Sequence, residues 1–389
     1  TGISQNKQDQ VFLEEEAIIS AISALGRIKN TLATPLLKRI LAQDKTGRIR
    51  ATAIFALGMM ANERLLPIFQ GALKDEDARV RANAIEGIES IKSSAIVGIL
   101  QPYLEDSSNR VRANVAKAIW KYGDFDVTDT LTKMLTDPDK WQRSSAAFAI
   151  GEIRDVKFIG KLAVALKDGD PDVRRNAVNA LKKMQSPNAV PHLLPLLDDP
   201  NQDVRVQAAL ALTRCDISKV VDSLAPRLQA EENQVVRATL ISCLGDAKMK
   251  GFAKIVIPFL DDTDPRVVAN AIDSLQKLSE GSPGTDVNEK LKELLHHSDN
   301  RVKGNAIRTL LFWNDSAALD NLALLLEHPD ASFRQSGAFV IGEIGEEITK
   351  DPKAAGLINQ TIAELVAQKE RGVPLEVALQ DGSGESVTL

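Results

Sequence analysis

The chain has 389 residues, a formal net charge of −5 and a pI near 5.6. With no block of clustered Lys and Arg to neutralise phosphates, that balance argues against nucleic acid as a partner. No apolar run approaches the ~18 residues of a membrane span. Two cysteines, Cys215 and Cys243, cannot build a disulfide framework; they fit a reducing, cytoplasmic setting as small buried apolar residues. Apolar residues make up 44% of the chain but aromatics only 4%, so Ala, Leu, Ile and Val must fill the core, a mix that suits closely packed helices. A single core would have split into domains at this length, whereas an array of repeats need not, because each unit packs only on its neighbours. No secretory-signal pattern is present, and the start at Thr1 instead of Met reads as a processed product or an excised fragment.

In chain order, residues 1–13 form a polar lead, and residues 14–350 carry a repeat. A short string recurs as IRATA, VRANA, VRANV, QRSSA, VRRNA, VRVQA, VRATL, VVANA, VKGNA and FRQSG. Its second residue is Arg50, Arg81, Arg112, Arg143, Arg174, Arg205, Arg237, Val268, Lys303 and Arg334. The step is 31 residues, except for 32 before Arg237 and 35 before Lys303, where SEGSPGTD reads as a loop insertion. A degenerate eleventh copy stands at the start, where SALGRI echoes FALGMM. Each unit predicts two helices. An apolar-periodic segment such as FIGKLAVALKD or AVPHLLPLLDD comes first, and the recurring string opens the second. Between them lie acidic turns, where Asp170–Pro171 and Asp264–Pro265 read as an N-cap followed by proline in the first helical turn. Gly58, Gly151, Gly245 and Gly342 fall late in the second helix and read as helix-ending residues. After the array, residues 351–372 predict a capping helix and residues 373–389 a flexible tail.

Taking the recurrent Arg as origin and turning ~100° per residue, the residue before it and those three, four, seven and ten after it make the buried arc: Val80, Ala84, Ile85, Ile88 and Ile91 in one copy. The Arg points into the same arc. An unpaired guanidinium there would be costly, so a ladder is expected in which it meets a turn carboxylate: Asp75 or Asp77 for Arg81, Asp168 or Asp170 for Arg174. A row of arginines for an anionic partner is the alternative. Two residues after the Arg stand Asn83, Asn114, Ser145, Asn176 and their equivalents, read as a hydrogen-bonded ladder between neighbouring helices. The residues one, five and eight after it form the opposite arc, which varies most between copies.

The Asp-rich turn, the Val-Arg pair, the small residues after it and the closing Leu-Gly resemble the HEAT-repeat family, in its short form of the phycobilisome-lyase type. The resemblance spans roughly residues 14–350. It implies an all-α fold, an α-solenoid wound as a right-handed superhelix of about eleven helical hairpins, with the second helices lining the concave surface. Phe55, Lys117, Trp120, Phe148, Arg175, Leu210, Arg308 and Phe339 then face the groove as candidate partner-binding residues. Lys182 is a further polar neighbour, and Trp141 and Trp313 sit near repeat corners.

The sequence shows no catalytic motif: HExxH, GxSxG, GxGxxG and paired cysteines at metal spacing are all missing. Of the four histidines, His192 and His328 stand apart, while adjacent His296 and His297 point in different directions. Carboxylates recur with the repeat, as turn residues should. The expectation is therefore a non-enzymatic scaffold or adaptor without cofactor or metal, holding a protein or peptide. A bilin lyase-like chaperone of phycobiliproteins is the alternative, and a HEAT-like DNA-binding protein a weaker one.

Overall fold

A computed structural model describes residues 2–348 other than 93–94, 123–125, 216–220, 249, 280–283, 314 and 316–317, together with 363, 378–380 and 386–388. The expected capping helix at 351–372 falls outside the described residues, save 363. The chain divides into two compact units, Thr1–His192 and Leu193–Leu389. Each is a stack of helical hairpins, an α-solenoid.

In the first unit a single helix, α1 (Gly2–Ile28), precedes the hairpins α2 (Thr34–Gln43) with α3 (Gly47–Met59), and α4 (Leu66–Ala72) with α5 (Ala78–Ser90). Then come α6 (Ile96–Leu100) with α7 (Asn109–Trp120), α8 (Thr128–Leu135) with α9 (Lys140–Ile153), and α10 (Ile159–Ala165) with α11 (Pro171–Met184). The polar lead read over 1–13 is thus continuous with the first helix. Helix α1 packs on α3 as a second helix would, which is the degenerate eleventh copy without its first helix.

The short α12 (Val190–Leu193) stands at the division between the units. The second unit continues with α13 (Gln202–Cys215), α14 (Val221–Ala230) and α15 (Gln234–Asp246). It then holds α16 (Ala253–Val256) with α17 (Pro265–Leu278), α18 (Thr285–Leu294) with α19 (Asn300–Phe312), and α20 (Ala318–Leu326) with α21 (Ala331–Ile348). Two short strands, β1 (Ala378–Gln380) and β2 (Ser386–Thr388), pair antiparallel within the segment read as tail.

The first helices are short because proline interrupts several of them. Pro102, Pro195 and Pro258 each open a 3-10 turn that finishes the segment, since proline cannot donate to the preceding turn. The second helices are regular and open on the expected caps: Asp170 accepts from the Asp172 amide and Asp264 from the Arg266 amide, each with proline following. Val80, Ala84, Ile85 and Ile88 are fully buried, as the helical wheel requires. Each such side chain contributes about 1.5–3 kcal/mol.

The glycines late in the second helices do a different job from the one expected. A methyl group on Gly151 would lie 2.9 Å from the Ala180 Cα, and one on Gly58 3.3 Å from the Gly87 Cα. They admit the backbone of the next second helix, and the helices end slightly later on residues such as Lys92, Arg154 and Gln185, whose φ of 57°, 59° and 51° is left-handed without glycine.

Candidate functional site

The acidic turns and the recurrent Arg build one device. The carboxylate six residues before the Arg accepts the amide two residues on, as in Asp75 to Asp77 and Asp168 to Asp170. The Arg hooks onto that turn through main-chain carbonyls: Arg81 Nη1 donates to Asp75 and Glu76 oxygens at 2.9 and 3.0 Å. Its other edge grips the carboxylate of the following turn. Arg50 meets Asp75 at 2.9 and 2.8 Å, Arg81 meets Asp106 at 2.8 and 2.7 Å, and Arg205 meets Glu231 at 2.9 Å on both oxygens. Such paired contacts are the strong form of the ion pair.

The expected pairing of Arg81 with Asp75 or Asp77 is therefore corrected. Its own turn offers carbonyls, and the carboxylate comes from Asp106, one repeat later. Arg174 likewise hooks onto the main-chain oxygens of Asp168 and Gly169, while the Asp168 carboxylate meets Arg143 and that of Asp170 meets Lys140. For Asp106, burial pushes the carboxyl up, but hydrogen bonds from Arg81 and the Ser108 amide win and hold it below the ordinary carboxylate range. Asp77 is lowered to about 2, chiefly by Arg79.

The polar ladder two residues after the Arg reaches back to the previous second helix. Asn83 donates to the Ala51 carbonyl at 2.8 Å and Asn270 to that of Ala238 at 2.9 Å. This fixes the register that apolar packing alone leaves loose.

The arc expected to be free is only partly so. Of the residues one after the Arg, Ala51, Ala82, Ala113, Ala238 and Ala269 are buried, Ser144, Arg175 and Val206 half-buried, and Gln335 exposed. Those eight after it are the close-approach glycines Gly58, Gly151 and Gly245, half-buried side chains, and the exposed Gly342. The residue five after it is where the face opens: Phe55 is 44% exposed, Phe148 49% and Phe339 54%. Leu210 is half-buried. Phe148 carries Lys183 Nζ 5.2 Å from its ring centre, and Phe339 carries the Arg308 guanidinium at 5.9 Å.

Other expected face residues are engaged. Trp120 lies 5.3 Å from the buried Phe158 ring and under Lys157 Nζ at 3.9 Å, so it closes a corner. Lys117 holds Glu89 at 2.9 Å, and Arg175 holds Asp172 at 2.8 Å. Arg308 is buried, 7% exposed, with Asp273 at 2.6 Å and Gln276 at 3.0 Å. The reason lies in the ladder: Val268 leaves α17 without its Arg, and Arg308–Asp273 supplies the ionic link between α17 and α19 instead.

Three residues that sequence reasoning left aside turn out to matter. Trp141, two before Arg143, is 59% exposed. The position two before the Arg differs from the one five after it by seven residues, ~700°, so both share a face. His297 and His328 occupy the turn-carboxylate position, each accepting the amide two residues on through Nδ1, at 2.9 and 3.1 Å. His328 also stacks on Phe333 at 4.0 Å. Among the described residues no three His, Cys, Asp or Glu side chains gather as a metal site, and no helix is long and apolar enough to cross a membrane. Both cysteines are buried, and burial pushes the Cys243 thiol up to about 12.

The sequence matches HEAT repeats over residues 14–77, 65–146, 128–213 and 221–286. No curated protein matches it in sequence. Among solved structures, an engineered protein is 18% identical with a TM-score of 0.42, covering 80% of this chain and 98% of its own. YibA of Escherichia coli is 21% identical with a TM-score of 0.48, covering 67% of this chain and 96% of its own. A chain in the structure of Kap95p with RanGDP is 13% identical with a TM-score of 0.57; the match covers 90% of this chain and 56% of that one. That last likeness concerns the fold. The repeat matches extend over more than half of the sequence, and with the helical hairpins they establish that this chain belongs to the HEAT-repeat family.

Proposed function

We propose that the chain is a non-enzymatic scaffold that holds a protein or peptide against the open face of its second helices. HEAT solenoids typically serve as protein-interaction scaffolds. The observation that carries the reading here is the exposure of Phe55, Phe148 and Phe339 at one register position, in a chain with only 4% aromatic residues. Large apolar side chains left in water are the material of interface hot spots. Phe55 and Phe148 lie three second helices apart in the first unit, a span of roughly 30 Å at ~10 Å per packed helix, which suits an extended ligand. The reading requires no cofactor.

The test is a Phe55→Glu/Phe148→Glu variant. Both side chains are partly in water, so its melting should shift by no more than about 1 kcal/mol in stability. Affinity capture from native lysate with mass spectrometry should lose the protein that the unaltered chain retains. An unchanged set of captured proteins from a folded variant would overturn the proposal.

A further inference from the structure

The net charge of −5 hides two unlike halves. The first unit has 28 Lys and Arg against 23 Asp and Glu, whereas the second has 20 against 30. Part of that basic surplus sits on the face described above. Two residues before the ladder position, consecutive second helices α3, α5, α7 and α9 carry Arg48, Arg79, Arg110 and Trp141. All four side chains are substantially exposed. The same position in the second unit reads Asp203, Val235, Arg266, Arg301 and Ser332, with no such run.

The three guanidiniums are held unequally. Arg110 meets Glu86 at 3.8 Å and Arg48 meets Glu16 at 2.5 Å, surface pairs that contribute little and exchange readily. Arg79 grips its own cap Asp77 through Nε at 3.1 Å and Nη2 at 2.6 Å, but its side chain is 55% exposed and within reach of an incoming carboxylate. About two turns further along the same face stand Phe55, Glu86, Lys117 and Phe148. The first unit thus presents a row of three Arg and a Trp beside a row with Phe at both ends.

We infer that this strip takes an acidic, extended peptide segment with an apolar side chain near one end. The inference rests on the proposed scaffold reading and adds the partner's chemistry and place. Successive second helices pack ~8–10 Å apart, and an extended polyproline-type chain advances ~9 Å in three residues. Carboxylates at about every third residue therefore meet Arg48, Arg79 and Arg110 in turn, and the apolar end reaches Trp141 or Phe148. Glu16, Asp77 and Glu86 between the arginines disfavour a continuous polyanion, so nucleic acid is the poorer occupant.

The probe is a displayed library of random 16-residue peptides selected on the full chain, with enriched members synthesised and titrated by fluorescence anisotropy. Enriched sequences should carry Asp or Glu at about three-residue spacing with an aromatic or Leu at one end. An Arg48→Gln/Arg79→Gln/Arg110→Gln variant, which keeps helix formers at exposed sites and should give an unaltered circular dichroism spectrum, should bind them at least about tenfold more weakly. Enriched peptides without acidic bias, or undiminished binding to the triple variant, overturn the inference. If such peptides are still lost on Phe55→Glu/Phe148→Glu, the scaffold reading stands without it. If no peptide is enriched, both fail. A single-stranded 20-mer oligonucleotide binding more tightly than the acidic peptides, with the same dependence on the three arginines, overturns it in favour of nucleic acid.

Discussion

The two units use the same hairpin but treat its ionic link differently. In the first, Arg50–Asp75, Arg81–Asp106 and Arg143–Asp168 each join an Arg to the next turn's carboxylate. In the second the pattern begins alike, with Arg205–Glu231 and Arg237–Asp262, and then changes. Val268 has no guanidinium, and the turn that would receive one holds His297. Lys303 follows, and its turn holds His328. The charge between α17 and α19 moves to mid-helix as Arg308–Asp273. What the family keeps is a polar tie between neighbouring repeats. Its position can shift when the turn residue changes with it.

The comparison makes its largest prediction at the ladder. Arg81→Ala removes the donor from a buried Asp106 and from two turn carbonyls, and should cost about 3 kcal/mol, measured by urea unfolding. Lys303→Ala, which removes an ammonium lying 5.3 Å from the Phe333 ring centre, should cost well under half of that. Equal losses would erase the distinction between the units.

Packing gives the next effect. Gly151→Ala forces a methyl group against the Ala180 backbone and should cost about 1–3 kcal/mol. Gly342→Ala in α21 meets no described atom within 4 Å. It should leave stability unchanged or raise it by up to about 1 kcal/mol through helix propensity. Differential scanning fluorimetry separates the two, and a destabilising Gly342→Ala would show that face to be covered.

The smallest effect is on acidification. Hydrogen bonds from the ladder arginines hold the carboxyls of Asp75, Asp106 and Asp168 below the ordinary carboxylate range in the folded chain, and that of Asp77 is lowered to about 2. A lowered carboxylate binds fewer protons folded than unfolded, so its contribution is present above pH ~4 and is lost as pH falls through the folded value. Thermal melts should be level from pH 7 to about pH 5 and fall below pH ~4. Loss of stability already between pH 7 and 5 would show that these carboxylates do not set the acid limit.

The hairpins, the caps and the buried arc were legible because a 31-residue step repeats the same physical demand many times. The ladder's partner was not, since a periodic chain offers each Arg two similar acids, six residues before and about 25 after. The signal was nonetheless present. Arg334 has His328 six before it, so the earlier acid does not follow the Arg, whereas Val268 and Lys303 are followed by His297 and His328 where the other turns have carboxylates. The open face was half legible. A wheel angle says which residues leave the core, but it does not say that Ala51 is buried and Trp120 closes a corner while Phe55 and Trp141 stay open to water.

The arginine ladder runs along one edge of each stack, at the turns that open the second helices. The opposite edge, where those helices finish, carries sparser ties: Glu89 to Lys121, Glu152 to Lys183 and Asp246 to Lys277 join the ends of neighbouring second helices. Their lysine side chains are 61%, 34% and 37% exposed, so these pairs contribute little beside the doubled, largely buried contacts of the ladder. Within a unit the hairpins are thus bound like pages, firmly at the spine and loosely at the fore-edge. Fanning motions should open at the fore-edge, letting the spacing between Phe55 and Phe148 adjust to a ligand while the guanidinium contacts of the ladder hold.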